Sequence, residues 1–340
     1  MTTVRQHVET PPLEGLLIDQ FGRSHQYLRI SLTDRCNFRC QYCMPHEGMV
    51  WQPKKTLLTY EEIERLARIF VQLGVTKIRL TGGEPTVRED LPVLTQKLSS
   101  IDGLQHLAMT TNGTSLAQWA SVYKASGLDS VNISLDTLDP KRFLEITRRD
   151  ALPLVLEGID AALQVGFQPV KINMVVMAGV NDDEVFRFVD TFKHQPVHIR
   201  LIEFMPFKAN QWRVDRMIPY REVLEVLETR FQLQRLATEA SAVGKDYALV
   251  GYPAVVSFIT SMSEHFCGTC NRVRLTADGS IKPCLLHAAE VSLRDAIRGG
   301  VEDSELAQMI LETLWRKPIG HDPLETLSGE ANRSMIQIGG

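Results

Sequence analysis

All six cysteines of this chain fall into two triads, Cys36, Cys40 and Cys43 in the first part and Cys267, Cys270 and Cys284 in the last. A structural zinc site takes four protein ligands and an electron-transfer [4Fe–4S] cluster takes four thiolates, so each triad is one ligand short of a closed site. Three thiolates leave one metal atom open to a ligand that is not protein. In the first triad the gaps are three and two residues, short enough for one loop to wrap a compact cluster from one side. Disulfides are disfavoured: no apolar stretch near the N-terminus marks export, and a reducing, cytoplasmic compartment is expected. Zinc is an alternative for either triad, with His46 or His265 as fourth ligand.

The 340 residues, 44% hydrophobic and 23% charged, can build one large core or two domains. Uninterrupted apolar runs are short, as in Met174 to Ala178, far below the roughly 20 residues that span a bilayer. No membrane association is expected. A net charge of −4 gives no global attraction to nucleic acid or anionic lipid, so a polyanionic ligand has to be met by local Lys and Arg.

Residues Met1 to Pro12 are polar and aperiodic and read as a disordered lead-in. Beyond them, β-rich runs alternate with amphipathic helices. Strands are expected at Tyr27–Leu32, Lys77–Leu80, His106–Met109, Ser130–Leu135, Val170–Val176 and Val197–Ile202. Thr59 and Glu62 form a capping box ahead of Ile63, Leu66, Ala67, Phe70 and Val71, which repeat on one helix face. Ser115 with Gln118 and Asn181 with Glu184 give the same start signal. Six βα units fit an open doubly wound sheet or an incomplete barrel equally well. In both, active groups gather at strand C-terminal ends, where the cysteine loop, Gly82-Gly83-Glu84-Pro85, Thr110-Thr111-Asn112-Gly113 and Asp136 all fall. The site is therefore expected at one rim.

After a helix near Tyr220–Arg230 the pattern changes to short strands at Ala248–Val250, Val255–Ile259, Val273–Thr276 and Ser280–Pro283. Asp278-Gly279 is a hairpin turn signal; folding there brings Cys284 back toward Cys267 and Cys270. Helices near Ser292–Arg298 and Ser304–Trp315 precede a polar tail ending in Gly339-Gly340. The expected division is a lead-in over 1–12, a βα region over 13–230 and a C-terminal region over 231–340.

The spacing Cys36-x3-Cys40-x2-Cys43 with Tyr42, followed by Gly82-Gly83-Glu84-Pro85, resembles the radical S-adenosylmethionine superfamily. Phe266-Cys267-Gly268-Thr269-Cys270-Asn271-Arg272-Val273-Arg274, then Cys284 and a terminal Gly-Gly, make the chain similar to the GTP 3',8-cyclases of molybdenum cofactor biosynthesis. The resemblance runs from about Arg29 to Gly340.

It implies an α/β fold, an incomplete (β/α)6 TIM-like barrel with a C-terminal α+β extension that carries a second iron–sulfur cluster. One [4Fe–4S] cluster would sit on Cys36, Cys40 and Cys43 and take S-adenosylmethionine at its open iron, with Gly82, Gly83, Tyr42, Ser134 and Met205 around that cofactor. One electron would then release methionine and a 5'-deoxyadenosyl radical, chemistry that the cofactor supplies and the protein aims. The other [4Fe–4S] cluster, on Cys267, Cys270 and Cys284, would meet the guanine of GTP. Arg29, Arg79, Thr110, Lys171, Arg272, Val273 and Arg274 occupy nucleotide-binding positions, with cations for the triphosphate. Whether Thr110 or Thr111 makes the contact is open. Gly339 and Gly340 would thread back into the active site, where Arg272 and Arg274 also act. Hydrogen abstraction at C3' and addition to C8 would give 3',8-cyclo-7,8-dihydro-GTP. The resemblance further implies an external flavodoxin- or ferredoxin-like electron donor, transfer of the product to a cyclic pyranopterin monophosphate synthase, and a homodimer as one admissible assembly.

Taken singly, several of these residues have blander readings. Gly82-Gly83 alone is a tight turn, Met205-Pro206 is core, Ser134 is a strand residue, and alternating arginines mark a solvated strand face. The cysteines reverse that weighting for the glycines and the arginines, whereas Ser134 and Met205 are singled out by the family resemblance alone. Two competing functions differ in testable ways. A peptide-modifying radical maturase would need more cysteines for its auxiliary clusters. A non-catalytic zinc or nucleic-acid module built on Cys267-Gly268-Thr269-Cys270 would need a basic stripe, which is not seen.

Overall fold

The order of the strands separates the two candidate architectures. In the structure, a computed structural model that describes residues 16–44, 51–288, 290–323 and 332–339, the first six strands are β1 (Tyr27–Ser31), β2 (Lys77–Thr81), β3 (His106–Thr111), β4 (Ser130–Ser134), β5 (Val170–Val176) and β6 (Val197–Glu203). They lie side by side in sequence order, all parallel. A doubly wound sheet reverses its order at a switch point. This one does not, and a sheet wound in one direction is what a partial barrel requires.

The last third of the chain extends the same sheet at both edges. Here β7 (Leu233–Arg235), β8 (Gly244–Leu249) and β9 (Val255–Ile259) stand beside β6, whereas β10 (Arg272–Leu275), β11 (Ser280–Lys282) and β12 (Val291–Ser292) stand beside β1. Both β9 and β10 run parallel to their older neighbours, so eight strands, not six, share one direction. Neither β7 nor β12 was expected, being three and two residues long and too short for a period-two pattern. The sheet also runs unbroken through residue 230.

Alternation explains what faces what. Leu28, Ile30, Ile78, Leu80, Leu107, Met109, Val131, Ile133, Ile172 and Ile199 are buried on one face, packed with the apolar stripes of the helices: Phe70 of Tyr60–Gln72, Leu94 of Leu91–Ser99, Ile159 of Leu152–Gln164 and Phe188 of Val185–Phe192. The Tyr60–Gln72 helix starts as its sequence dictates. Thr59 Oγ1 accepts from the Glu62 N–H (3.2 Å) and Glu62 accepts in turn from the Thr59 N–H (2.8 Å). Ser115 occupies the N-cap of Leu116–Ala125 without a side-chain cap bond.

The third expected start, at Asn181, differs. A 3-10 turn over Asp182–Glu184 precedes the helix that begins at Val185. Asn181 caps nothing; its amide donates to the Asp136 and Val175 carbonyls (2.8 and 2.9 Å) and its Oδ1 accepts from Met177 N–H. Buried Glu184 accepts from Thr137, the Leu138 N–H and Arg142. Both side chains pin the β4 and β5 loops together, a tertiary demand that overrides the local signal. Residues 1–12, His46 and Gly340 lie outside the described residues.

Candidate active site

The face of the parallel strands away from the helices is polar, and it is cationic. Register places Arg29 beside both Arg79 and Arg274, and Tyr27 beside both Lys77 and Arg272. Across β3 to β6 the same face carries Thr110, Asn132, Ser134, Lys171 and Arg200. Seven cations thus share one buried surface. Burial and mutual repulsion act together on them. Arg29 is lowered to about 10 by burial and by Arg79 and Arg272, with Tyr27 opposing. Arg200 falls to about 10 by burial and by Arg79, Arg272 and Arg29. Lys171 is lowered to about 8 by burial, Arg200, Arg79 and Lys77, with Asp246 opposing. Burial resists ionisation of Tyr27, but Arg79, Arg29 and Lys77 pull its phenol down to about 6. Its Oη accepts from Arg79 Nε, and Lys77, Arg79 and Arg272 all lie over its ring. Like charges crowded onto one surface in this way are relieved by a negatively charged ligand.

Lys77, Arg200 and Tyr27 escaped the sequence reading. For the two cations the signal was present: Lys77 stands two residues before Arg79, and Arg200 two residues after His198 in an alternating strand. Val273 is different. It alternates to the helix side and is wholly buried, so it can offer a ligand only its backbone. The two threonines also separate. Thr110 faces the cations, receiving Arg79 at 3.4 Å, whereas buried Thr111 donates to Glu84 on the other side (2.7 Å).

The first triad follows β1 at the C-terminal rim. Three half-buried free thiols occupy one loop, and the Phe38 N–H already points at Cys36 Sγ (3.3 Å). Burial, then Glu84, pushes Cys36 up to about 12; burial and the neighbouring cysteines raise Cys40 and Cys43 as well. Bare thiolates are therefore disfavoured here, and a bound cationic cluster is what would ionise them. Neighbouring loops hold the triad in place. Asn37 accepts from Asn112 (2.7 Å) and its carbonyl from Arg149 (2.9 Å), and Glu84 accepts from the Asn112 N–H (2.7 Å). Tyr42 Oη donates to Asp136 (2.7 Å), whose other oxygen accepts from Val175 N–H; burial raises Asp136 to about 6. Glu84 and Asn112 fall within the motifs expected at this rim, but their ties to one another and to Asn37 were not legible, because a buried polar tie between loops has no sequence period.

Gly82 and Gly83 lie against this loop. A Cβ on Gly83 would stand 2.3 Å from the Arg35 carbonyl oxygen, and one on Gly82 2.8 Å from that of Thr33. The Gly83 N–H donates to Thr33 and the Glu84 N–H to Arg35 (2.7 and 2.8 Å). Backbone rather than side chain must yield, so Gly83→Ala is expected to cost about 1–3 kcal/mol. That is a thermal shift of roughly 1–2 °C per kcal/mol for a chain of this size, with iron lost from the first triad. Melting curves and iron counts check it, and a parent-like Gly83→Ala would refute this packing role.

The second triad is at the other end of the strands. Cys267 and Cys270 precede β10, which runs parallel to β1, and Cys284 follows the antiparallel β11. The expectation of a single rim is thus corrected: with a rise of ~3.3 Å per residue, the length of β1 separates the two ends by roughly 13 Å, and the cations lie between them. Burial opposes ionisation of Cys270, but Lys317 and Arg272 outweigh it and lower its thiol. Among the described residues no three His, Cys, Asp or Glu side chains converge on one ion position, and the His265 ring packs against His321 (4.9 Å between centroids). A single zinc ion completed by His265 is therefore not preformed, whereas a four-iron cube brings its own sulfides and spaces its thiolates around them.

The tail enters from the first triad's rim. Gly339, at φ 85°, gives its carbonyl to Arg274 (2.8 Å), and a Cβ there would strike Thr81 and Ser31. Ile336 reaches Gly83. Ser134 and Met205 lie at the ends of β4 and β6, partly buried; no side-chain bond joins either to the triad among those described.

Family models agree with this layout: one for the radical SAM superfamily matches residues 30–192 and one for molybdenum cofactor synthesis C matches 197–323. The mitochondrial GTP 3',8-cyclase of Arabidopsis thaliana is 49% identical over 98% of this chain and 86% of its own length. The chain belongs to the GTP 3',8-cyclase family. The bacterial member from Alkaliphilus oremlandii is 44% identical, over 95% of this chain and 99% of its own. Human molybdenum cofactor biosynthesis protein 1 is 46% identical over 98% of this chain, which spans 52% of that longer relative. In fold, the family member is similar to Streptococcus suis SuiB bound to S-adenosylmethionine, with a TM-score of 0.59 at 15% identity over 92% of this chain and 77% of that one. Among the described residues no helix is long and apolar enough to cross a membrane.

Proposed function

We propose that this chain is a radical S-adenosylmethionine enzyme that cyclises GTP to 3',8-cyclo-7,8-dihydro-GTP at an early step of molybdenum cofactor biosynthesis. The observation that carries the reading is the cation-lined face between two cysteine triads. A triphosphate brings the negative charge that suits a surface shared by Arg29, Lys77, Arg79, Lys171, Arg200, Arg272 and Arg274, and a nucleotide held there lies between both ends of the strands.

The residues divide the work. Cys36, Cys40 and Cys43 hold a [4Fe–4S] cluster that, with S-adenosylmethionine bound, supplies one-electron cleavage to methionine and a 5'-deoxyadenosyl radical. Tyr42, Gly83, Ser134 and Met205 border that cofactor, Tyr42 fixed by Asp136. Cys267, Cys270 and Cys284 hold a second cluster toward the base, completing an incomplete (β/α)6 barrel of residues 13–230 with a C-terminal extension of 231–340. Thr110 is the nucleotide contact, because Thr111 is committed to Glu84. Val273 contributes backbone, and the Gly339-Gly340 tail closes the site through Arg274. Holding C3' near the radical source is the protein's main contribution, since positioning alone can supply about 7–11 kcal/mol. A flavodoxin- or ferredoxin-like donor supplies electrons, and a cyclic pyranopterin monophosphate synthase takes the product.

An anaerobic assay of reconstituted, reduced protein tests this, following 5'-deoxyadenosine and the mass of the nucleotide product. GTP is expected to accelerate 5'-deoxyadenosine formation, ATP much less. Equal rates with and without GTP would reject the substrate.

A further inference from the structure

Lys317 is 2% exposed, and its ammonium has three partners. It donates to Cys270 Sγ at 3.4 Å, to the Arg272 carbonyl at 2.7 Å and to His25 Nε2 at 2.8 Å. An ammonium has three protons and no acceptor, so this set saturates it. The segment around it grips the other side of the cysteine turn. Arg23, paired with buried Asp19 at 2.6 Å, donates to the carbonyls of Cys267 (2.7 Å), Pro318 (2.7 Å) and Ile319 (2.8 Å). Gly320 backs onto Cys267, where a Cβ would lie 3.5 Å from that residue's own. Chain segments from opposite ends of the sequence therefore clasp Cys267 and Cys270 in one hydrogen-bonded knot.

A lysine buried this deeply is costly unless it meets a negative group. Asp19 is committed to Arg23, carbonyls carry only partial charge, and His25 is neutral: burial and Lys317 hold its imidazole at about 3. The remaining partner is a cysteine sulfur. We propose that Lys317 is a positioning residue for the second cluster, its ammonium standing as the fixed countercharge and hydrogen-bond donor to the Cys270 sulfur. This rests on the second triad holding a cluster, as proposed above. Hydrogen bonds and charge at the ligating sulfurs are what a protein uses to retain a cluster and set its potential. Lys317 stands behind the sulfur rather than among the nucleotide cations, so it acts through Cys270.

The test uses full-length chain carrying Cys36→Ser, Cys40→Ser and Cys43→Ser, so that bound iron reports the second triad alone. In this background Lys317→Met and Lys317→Gln are compared with Lys317 for iron and sulfide content, release of iron to a chelator, the electron paramagnetic resonance spectrum of the reduced cluster, and apo-chain melting. Both variants are expected to release iron about 10–100-fold faster and to shift the spectrum and move the potential more negative, with apo-chain melting within a few degrees. Lys317→Arg is expected to restore part of the retention. Parent-like release and spectrum in Lys317→Met would overturn the inference, as would collapse of apo-chain melting in both variants, which marks a structural residue. A background chain that binds no cluster with Lys317 intact would instead overturn the second-cluster reading and this inference with it.

Discussion

Cys36→Ser is expected to reduce 5'-deoxyadenosine formation to the assay background while leaving the iron of the second triad in place. The physical ground is the isolation of the two triads. They sit at opposite ends of β1 and β10, and neither can lend the other a thiolate. A carboxylate beside this loop is not spare either. Glu84, which bears on Cys36 electrostatically, is consumed by Thr86, Thr111 and the Asn112 N–H. Normal cleavage by this variant would show that the first triad does not hold the cluster that works on S-adenosylmethionine.

The second large effect is at Arg274. Arg274→Ala removes a proposed triphosphate partner and the donor that holds the Gly339 carbonyl. GTP cyclisation is expected to fall by about 10²–10³-fold, the size of effect that follows loss of one fixed charge-stabilising donor. Cleavage of S-adenosylmethionine should persist, uncoupled from nucleotide. Stability should respond differently. Burial, Arg29 and Arg272 already hold the Arg274 guanidinium well below its usual range, so its removal relieves repulsion in the ligand-free chain. The loss of one hydrogen bond costs about 1 kcal/mol, and melting should therefore fall little. Differential calorimetry beside product analysis reads both. Unchanged cyclisation would remove Arg274 from the site.

Local residue patterns carry much of this arrangement. The six strands fall within about two residues of their expected limits, because Val, Ile and Leu mark buried parallel strands clearly. The Asp278-Gly279 turn joins β10 and β11 as its residues require. What could not be read was which strands become neighbours. Nothing local in Arg272 or Arg274 says that they will stand beside Tyr27 and Arg29, and so nothing local says that the second triad lies at the far end from the first. The knot of Asp19, Arg23, His25 and Lys317 was invisible for the same reason: the first three are sequence neighbours, but Lys317 stands 292 positions beyond His25. Asn181 shows the opposite failure, a good local cap signal taken over by a tertiary bond to the Asp136 carbonyl.

The placement of β10 has a consequence for how the chain comes to be folded. β1 is flanked by β2 and β10, so during synthesis its second neighbour is missing until residues 272–275 have left the ribosome. The waiting strand carries Arg29, whose later neighbour across that edge is Arg274, and a cation on an open edge discourages pairing with other chains. Pairings this distant in sequence form slowly. A cation proposed to meet a nucleotide in the finished protein is thus also of the kind that discourages aggregation of an open strand edge.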